Sequence, residues 1–209
     1  MPSGKSFDPQ QKIDEAVDLF WREGYAATGV QDVVENLQIS RSSLYATFGD
    51  KDTLWQRALS RYCQERNIRL AAVLDGAPPV LPRIRALLEN VIAARPAEPR
   101  GCLVVNAICE RLADDDTTRT TVTAQLAHVE AALADALQRA QTAGEIDAGN
   151  SPRDLARFLL TVIEGLHVLD RAGTNPDRLD DVITTAMGAL PKGPDKGSNK
   201  GSDASRPDS

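Results

Sequence analysis

Ser40-Arg41-Ser42-Ser43 stand together at the start of a short helical pattern, directly after Gln38 and Ile39. Arginine can grip guanine or pair with a phosphate, and serine hydroxyls serve base edges or the backbone. The first turn of a helix also presents free N–H groups and a positive dipole end, which favour phosphate. Tyr45 follows the apolar Leu44 and can send its hydroxyl to a nucleic-acid backbone. Lys51 opens the next helical pattern and offers a second phosphate contact. This is the make-up of a DNA-reading helix, although serines after a turn also serve simply as caps.

A second group lies far downstream, in Gly101-Cys102-Leu103-Val104-Val105-Asn106. A cysteine at a helix N-terminus next to Arg100 suits thiol chemistry with an aldehyde, a quinone or hypochlorite. The plainer reading makes Cys102 a small apolar residue of a pocket wall or core. Asn106, one turn on, either orients a ligand or caps a backbone group. Cys109 lies about 10.5 Å further along the helix, too far for a disulfide with Cys102, since bridged Cα atoms stand within about 7 Å. Cys63 sits on another helix. His128 and His167 are isolated. No His-x-x-x-His or Cys-x-x-Cys occurs, so no tight metal site is expected. His167 either faces a pocket or is a satisfied core or interface histidine, the second being commoner.

The elements that must hold these residues read as helices throughout. One runs from about Pro9 to Glu23, with Asp8 as N-cap and Ile13, Ala16, Val17 and Phe20 on one face. Thr28 is the expected N-cap of a short second helix carrying Val30, Val33, Val34 and Leu37. Ser40 caps the third, Arg41 to about Phe48, and Asp50 caps a fourth that extends to about Leu74. On it, Trp55 and Tyr62 share a face and should pack the junction between the two halves. Three short helices with a tight turn between the second and third form a helix-turn-helix pattern. Further helices are expected over about 81–94, 102–112, 117–143, 152–172 and 176–190, with breaks at 76–79 and 95–101. Residues 191–209 hold no core-forming residue and read as a disordered tail.

Ala16-x-x-Leu19-Phe20-x-x-x-Gly24-Tyr25-x-x-Thr28-x-Val30, followed by Ile39-Ser40-Arg41-x-x-Leu44-Tyr45-x-x-Phe48-x-x-Lys51-x-x-Leu54, resembles the N-terminal domain of the TetR family of bacterial transcriptional repressors. The likeness covers roughly residues 10–60. It implies an all-α chain with an N-terminal three-helix DNA-binding domain and a C-terminal helical ligand-binding and dimerisation bundle. The implied division is 1–51, a connecting helix over 52–75, 76–190, and the tail. The implied DNA contacts are Thr28, Ser40, Arg41, Ser42, Ser43, Tyr45, Thr47 and Lys51, with phosphate falling to Thr28, Tyr45 and Lys51. The Gly-Cys-Leu segment resembles one branch of the family, some of whose members sense electrophiles or oxidants. That places the effector near Cys102, Asn106, Cys109 and His167. The expected partners are a palindromic operator in double-stranded DNA, an unknown small molecule and a second copy of the chain.

Two features depart from the family pattern. Gln38 stands where glycine is usual, and a left-handed backbone there costs about 1–2 kcal/mol. Residues 1–51 carry five Lys/Arg and eight Asp/Glu. That net −3 predicts modest non-specific affinity, so binding must rest on a few placed contacts and on dimerisation.

The whole chain of 209 residues carries a net charge of −6, with three cysteines and 4% aromatics. An odd, low cysteine count excludes a disulfide scaffold, and few aromatics argue against a flat aromatic cage. No apolar run reaches the length of a membrane span, and the N-terminus has no signal-like apolar region, so a cytoplasmic protein is expected. No nucleophile–base–acid set or Gly-rich phosphate loop points to an enzyme, and no cofactor is expected. Phe158, Leu159, Val162, Ile163, Leu166 and Leu169 offer more apolar surface than one internal face needs, which suits a two-fold dimer.

Overall fold

The carboxylate of Asp8 accepts the N–H of Gln10 at 2.9 Å, and Pro9 occupies the first turn, where its missing N–H costs nothing. From this cap runs α1 (Pro9–Glu23), which buries Ile13, Ala16, Val17, Leu19 and Phe20. The computed structural model describes residues 7–93 and 101–194. Among them follow α2 (Val30–Asn36), α3 (Arg41–Phe48), α4 (Lys51–Leu74), α5 (Leu81–Ala93), α6 (Leu103–Arg111), α7 (Asp116–Thr142), α8 (Pro152–Arg171) and α9 (Pro176–Gly188). The chain is all-α, as its pattern predicts. The described residues contain no strand, only an isolated bridge between Ile146 and Lys192.

Three local expectations are corrected. Thr28 is not the N-cap of α2: Gly29 is, and the Asp32 carboxylate accepts the Gly29 N–H at 2.7 Å. The Thr28 hydroxyl instead turns inward and donates to the Gly24 carbonyl at 2.6 Å. Cys102 lies just before α6, as its N-cap. The start of the expected tail is tethered, because Gly193 N–H donates to Glu145 O and Asp147 N–H to Pro191 O, each at 3.1 Å. The expected break over 95–100 and the rest of the tail, 195–209, lie outside the described residues.

Two apolar cores form. The first joins α1, α2, α3 and the first half of α4, with Phe20 edge-on to Trp55 at 5.3 Å. It also takes in Cys102, Leu103, Val104 and Ala107 at the start of α6, and Val122 of α7. The second joins the end of α4 to α5, α7, α8 and α9. Thus α4 belongs to both cores, contributing Leu54, Trp55 and Leu59 to one and Leu70 and Leu74 to the other. Trp55 donates its indole N–H to Thr118 Oγ1 of α7 at 3.0 Å, and Tyr62 faces Trp21 of α1. Trp55 therefore packs the junction, as its spacing predicts, whereas Tyr62 packs against α1 and also lines the cavity described below.

The apolar face of α8 divides. Leu159, Ile163 and Leu166 point into the second core. Phe158, Val168 and Leu169, with Val182 of α9, stay exposed. Such a face on two neighbouring helices is what a helical dimer covers.

Candidate DNA-reading helix and effector cavity

Gln38 adopts φ 51°, the left-handed conformation, and this carries the chain from α2 into α3. Ile39 N–H closes back on Val34 O at 3.2 Å. The strain is met by the burial of Leu37 and Ile39 on either side. Ser40 then caps α3, its Oγ accepting the Ser43 N–H at 3.0 Å and lying within 2.9 Å of Ser42 Oγ and 2.8 Å of Ser43 Oγ. Leu44 and Phe48 anchor the helix inward. Its outer face presents Arg41 and Ser42 to solvent, with Tyr45 48% exposed. Ser43 and Thr47 lie half-buried along its margin. Exposed side chains on an anchored short helix are what major-groove reading requires.

Thr28 and Lys51 sit differently. Thr28 is fully buried. Lys51 Nζ donates to Thr28 O at 2.7 Å and Tyr25 O at 3.1 Å, and lies 3.8 Å from the centre of the Tyr25 ring. Burial lowers its pKa, partly offset by Asp52. In this geometry the ammonium closes the turn between α1 and α2. Its charge remains beside the reading helix, but its donors are engaged within the protein.

The second site is a cavity of about 560 Å³ between α4, α5, α7 and α8, within the range of small-molecule pockets. Leu70, Val73, Leu87, Val91 and Ile163 supply apolar walls; Tyr62, Arg66 and His167 gather at one end. Of the residues expected at the effector, His167 lines this cavity. Cys102 lies just behind its polar end and is 1% exposed. Asn106 is buried one turn along α6, its Nδ2 without a hydrogen-bond partner among the described residues, and is not part of the lining. Cys109 is exposed and also apart from the lining. Arg100 lies outside the described residues.

Sequence reasoning missed Arg66 and Glu164. Arg66 donates through Nη1 to Cys102 Sγ at 2.6 Å and through Nη2 to Glu164 Oε1 at 2.9 Å. One guanidinium of α4 thereby ties the start of α6 to the middle of α8. Burial opposes that charge, but Cys102 and Glu164 outweigh it and hold the Arg66 pKa above the ordinary arginine value. Tyr62 donates its hydroxyl to Cys102 Sγ at 3.6 Å; burial, then the neighbouring sulfur, push its pKa well up. Burial, helped by Arg66, lowers the His167 pKa to about 3, so its ring is neutral. Cys63 is pushed up to about 11, chiefly by burial, which makes it an inert thiol. The missed signal was Glu164 itself, a lone charge inside the apolar run from Phe158 to Leu169.

Among the described residues no helix is long and apolar enough to cross a membrane. Residues 13–58 match the model of bacterial regulatory proteins of the tetR family, and residues 80–186 match that of the tetracyclin repressor-like C-terminal domain. The chain is 27% identical over 201 residues to the transcriptional repressor ComR of Escherichia coli, covering 90% of this chain and 91% of ComR. It is 29% identical over 184 residues to the repressor BdcR of the same organism, covering 88% of each. A cysteine-substituted form of the regulator CifR, solved in complex with 26-base-pair operator DNA, superposes with a TM-score of 0.81 at 30% identity. That match covers 90% of this chain and 98% of the CifR chain.

Proposed function

The chain belongs to the TetR family of bacterial regulatory proteins and is a DNA-binding transcriptional repressor; we propose that occupation of the cavity behind Cys102 releases it from its operator. It acts as a homodimer in the cytoplasm, one α3 per operator half-site, with half-sites one helical turn or a small multiple apart, about 34–36 Å per turn. Arg41, Ser42 and Tyr45 supply the exposed contacts, with Ser40, Ser43 and Thr47 at the margin. Thr28 and Lys51 contribute by fixing the turn and the local charge. No catalytic role is assigned.

The observation that carries the release mechanism is the position of α6. Its start abuts the polar end of the cavity through Cys102, Arg66 and Tyr62. Its other end holds the DNA-binding head: Glu110 accepts the N–H groups of Tyr25 and Ala26, and Arg111 pairs with Asp52 at 3.1 Å. A ligand that shifts the start of α6 therefore moves the turn that orients α2 and α3. The ligand must bind the released state better than the operator-competent one, or it shifts nothing.

A second reading makes Cys102 the trigger. It is favoured by the guanidinium 2.6 Å from Sγ, since a cation at that place suits attack by sulfur on an electrophile carried into the cavity. A gel shift on the DNA upstream of the protein's own gene, with and without reductant, methylglyoxal and hypochlorite, tests both. Specific binding abolished by the reagent in the wild type but kept in Cys102→Ser establishes the thiol trigger. Specific binding indifferent to these reagents leaves a non-covalent ligand. Absence of specific binding to that and to neighbouring intergenic DNA overturns the operator assignment.

A further inference from the structure

Glu164 and His167 stand three residues apart on α8, so both project from one face, and the fold brings Cys102 of the α6 cap against them. One donor atom from each, a thiol sulfur, a carboxylate oxygen and a ring nitrogen, lie within 4.8 Å of one another. We propose that Cys102, Glu164 and His167 form a site for a thiophilic divalent cation of the zinc class, which takes the place of the Arg66 guanidinium.

The donor set selects the ion. Calcium and magnesium want oxygen alone, whereas sulfur with imidazole and one carboxylate suits zinc and its neighbours. A Glu-x-x-His pair on one helix is a spacing that helical bundles use for metal ligation. Zinc bonds of about 2.0–2.3 Å require the three donors to close in by roughly 1 Å, within reach of side-chain rotation. Three protein ligands leave the fourth tetrahedral position open to water.

The cluster is already built for positive charge. Arg66 now supplies it, bonded to both Cys102 and Glu164. Its bonds leave Glu164 Oε2 buried with no hydrogen-bond partner among the described residues. A cation held by the carboxylate gives that oxygen a function that the guanidinium does not. Arg66 also lines the cavity, so its side chain has room to swing aside when the metal enters. On binding, the Cys102 Sγ–H proton passes to solvent and the sulfur coordinates as thiolate. The displaced Arg66 lets go of α6 and α8 together, and α4 is the helix that leads back to the DNA-binding head.

The site's existence does not depend on the repressor reading, and the two fail separately. Cobalt(II) is titrated into the reduced full-length protein, followed by zinc competition. We expect one cobalt per chain, a thiolate-to-cobalt charge-transfer band, and visible absorption of tetrahedral strength. Cys102→Ser should lose the charge-transfer band; Cys63→Ser and Cys109→Ser should keep it. Glu164→Gln and His167→Ala should weaken binding. Arg66→Met should bind cobalt more tightly than the wild type, because a competing cation is gone; a merely structural arginine would not give that result. A wild-type protein without the band, a band that survives Cys102→Ser, or weaker binding by a folded Arg66→Met protein overturns the site. Should Arg66→Met not fold, thermal melting decides: zinc should raise the melting temperature of the wild type and not that of Cys102→Ser, and equal shifts overturn the proposal. Cobalt bound with unchanged operator affinity refutes the link through Arg66. Operator binding absent in every form, metal-free included, counts against the repressor reading instead.

Discussion

The Glu110 carboxylate, on α6, accepts the backbone N–H of Tyr25 at 2.8 Å, across 85 residues of sequence. It takes the Ala26 N–H as well, at 3.2 Å. Gly24 beside them has φ 83°, and a Cβ there would stand 2.6 Å from Glu110 Oε1. The glycine thus admits the carboxylate as well as the turn. Glu110→Ala leaves the part-buried Tyr25 N–H unpaired, while the exposed Ala26 N–H turns to water, and should cost about 1–2 kcal/mol in urea unfolding. It should also blunt the effector response in operator titrations, whereas a purely local role would leave that response intact.

Arg41→Ala should weaken specific operator binding by about 1–3 kcal/mol with an unchanged melting temperature. The side chain is exposed and holds nothing else among the described residues. Fluorescence anisotropy on labelled operator reads the loss. Full retained affinity removes Arg41 as a reader.

Lys51→Met should lower stability by about 1–2 kcal/mol, because the ammonium joins Thr28 O, Tyr25 O and the Tyr25 ring. Tyr45→Phe should leave stability alone and weaken only operator binding. A melt that separates the two variants in this way distinguishes a turn-closing residue from a free phosphate contact.

Gln38→Gly should stabilise the chain by about 1 kcal/mol, since φ 51° is strained for glutamine and easy for glycine. Chemical denaturation measures it. A destabilised variant would mean that the glutamine side chain contributes more than its backbone loses.

Tyr25 donates its hydroxyl to Asp52, and burial with that bond raises its pKa from 10.0 to about 12. The group's contribution to stability is complete below the unfolded value. Between about pH 10 and 12 the unfolded chain has released the proton that the native chain keeps. Stability should therefore fall across that window, by up to about 1.4 kcal/mol per pH unit. Tyr25→Phe should flatten this part of the profile in unfolding experiments at stepped pH. An unchanged slope would show that Tyr25 titrates normally in the native chain.

The reading helix was legible in the sequence because its signals are local. Ser40 as a cap, Leu44 and Phe48 as anchors, and Arg41 on the exposed face all follow from spacing within nine residues. Thr28 was misplaced as a cap because a threonine hydroxyl serves a cap or a buried carbonyl equally well, and the choice fell to Gly24 O. Lys51 could not be seen to close a turn, since its partners lie 23 and 26 residues away. Arg66 and Glu164 showed only as charges on helices, 98 residues apart.

Periodicity, caps and glycine positions are properties of short stretches, so the sequence by itself determined the helices, the turn at Gln38 and the outward face of α3. That Cys102 meets the Arg66 guanidinium depends on how α4, α6 and α8 cross, and only tertiary packing decided that. A buried guanidinium is tolerated where it finds a carboxylate and a sulfur together, and no local pattern encodes the meeting of three helices.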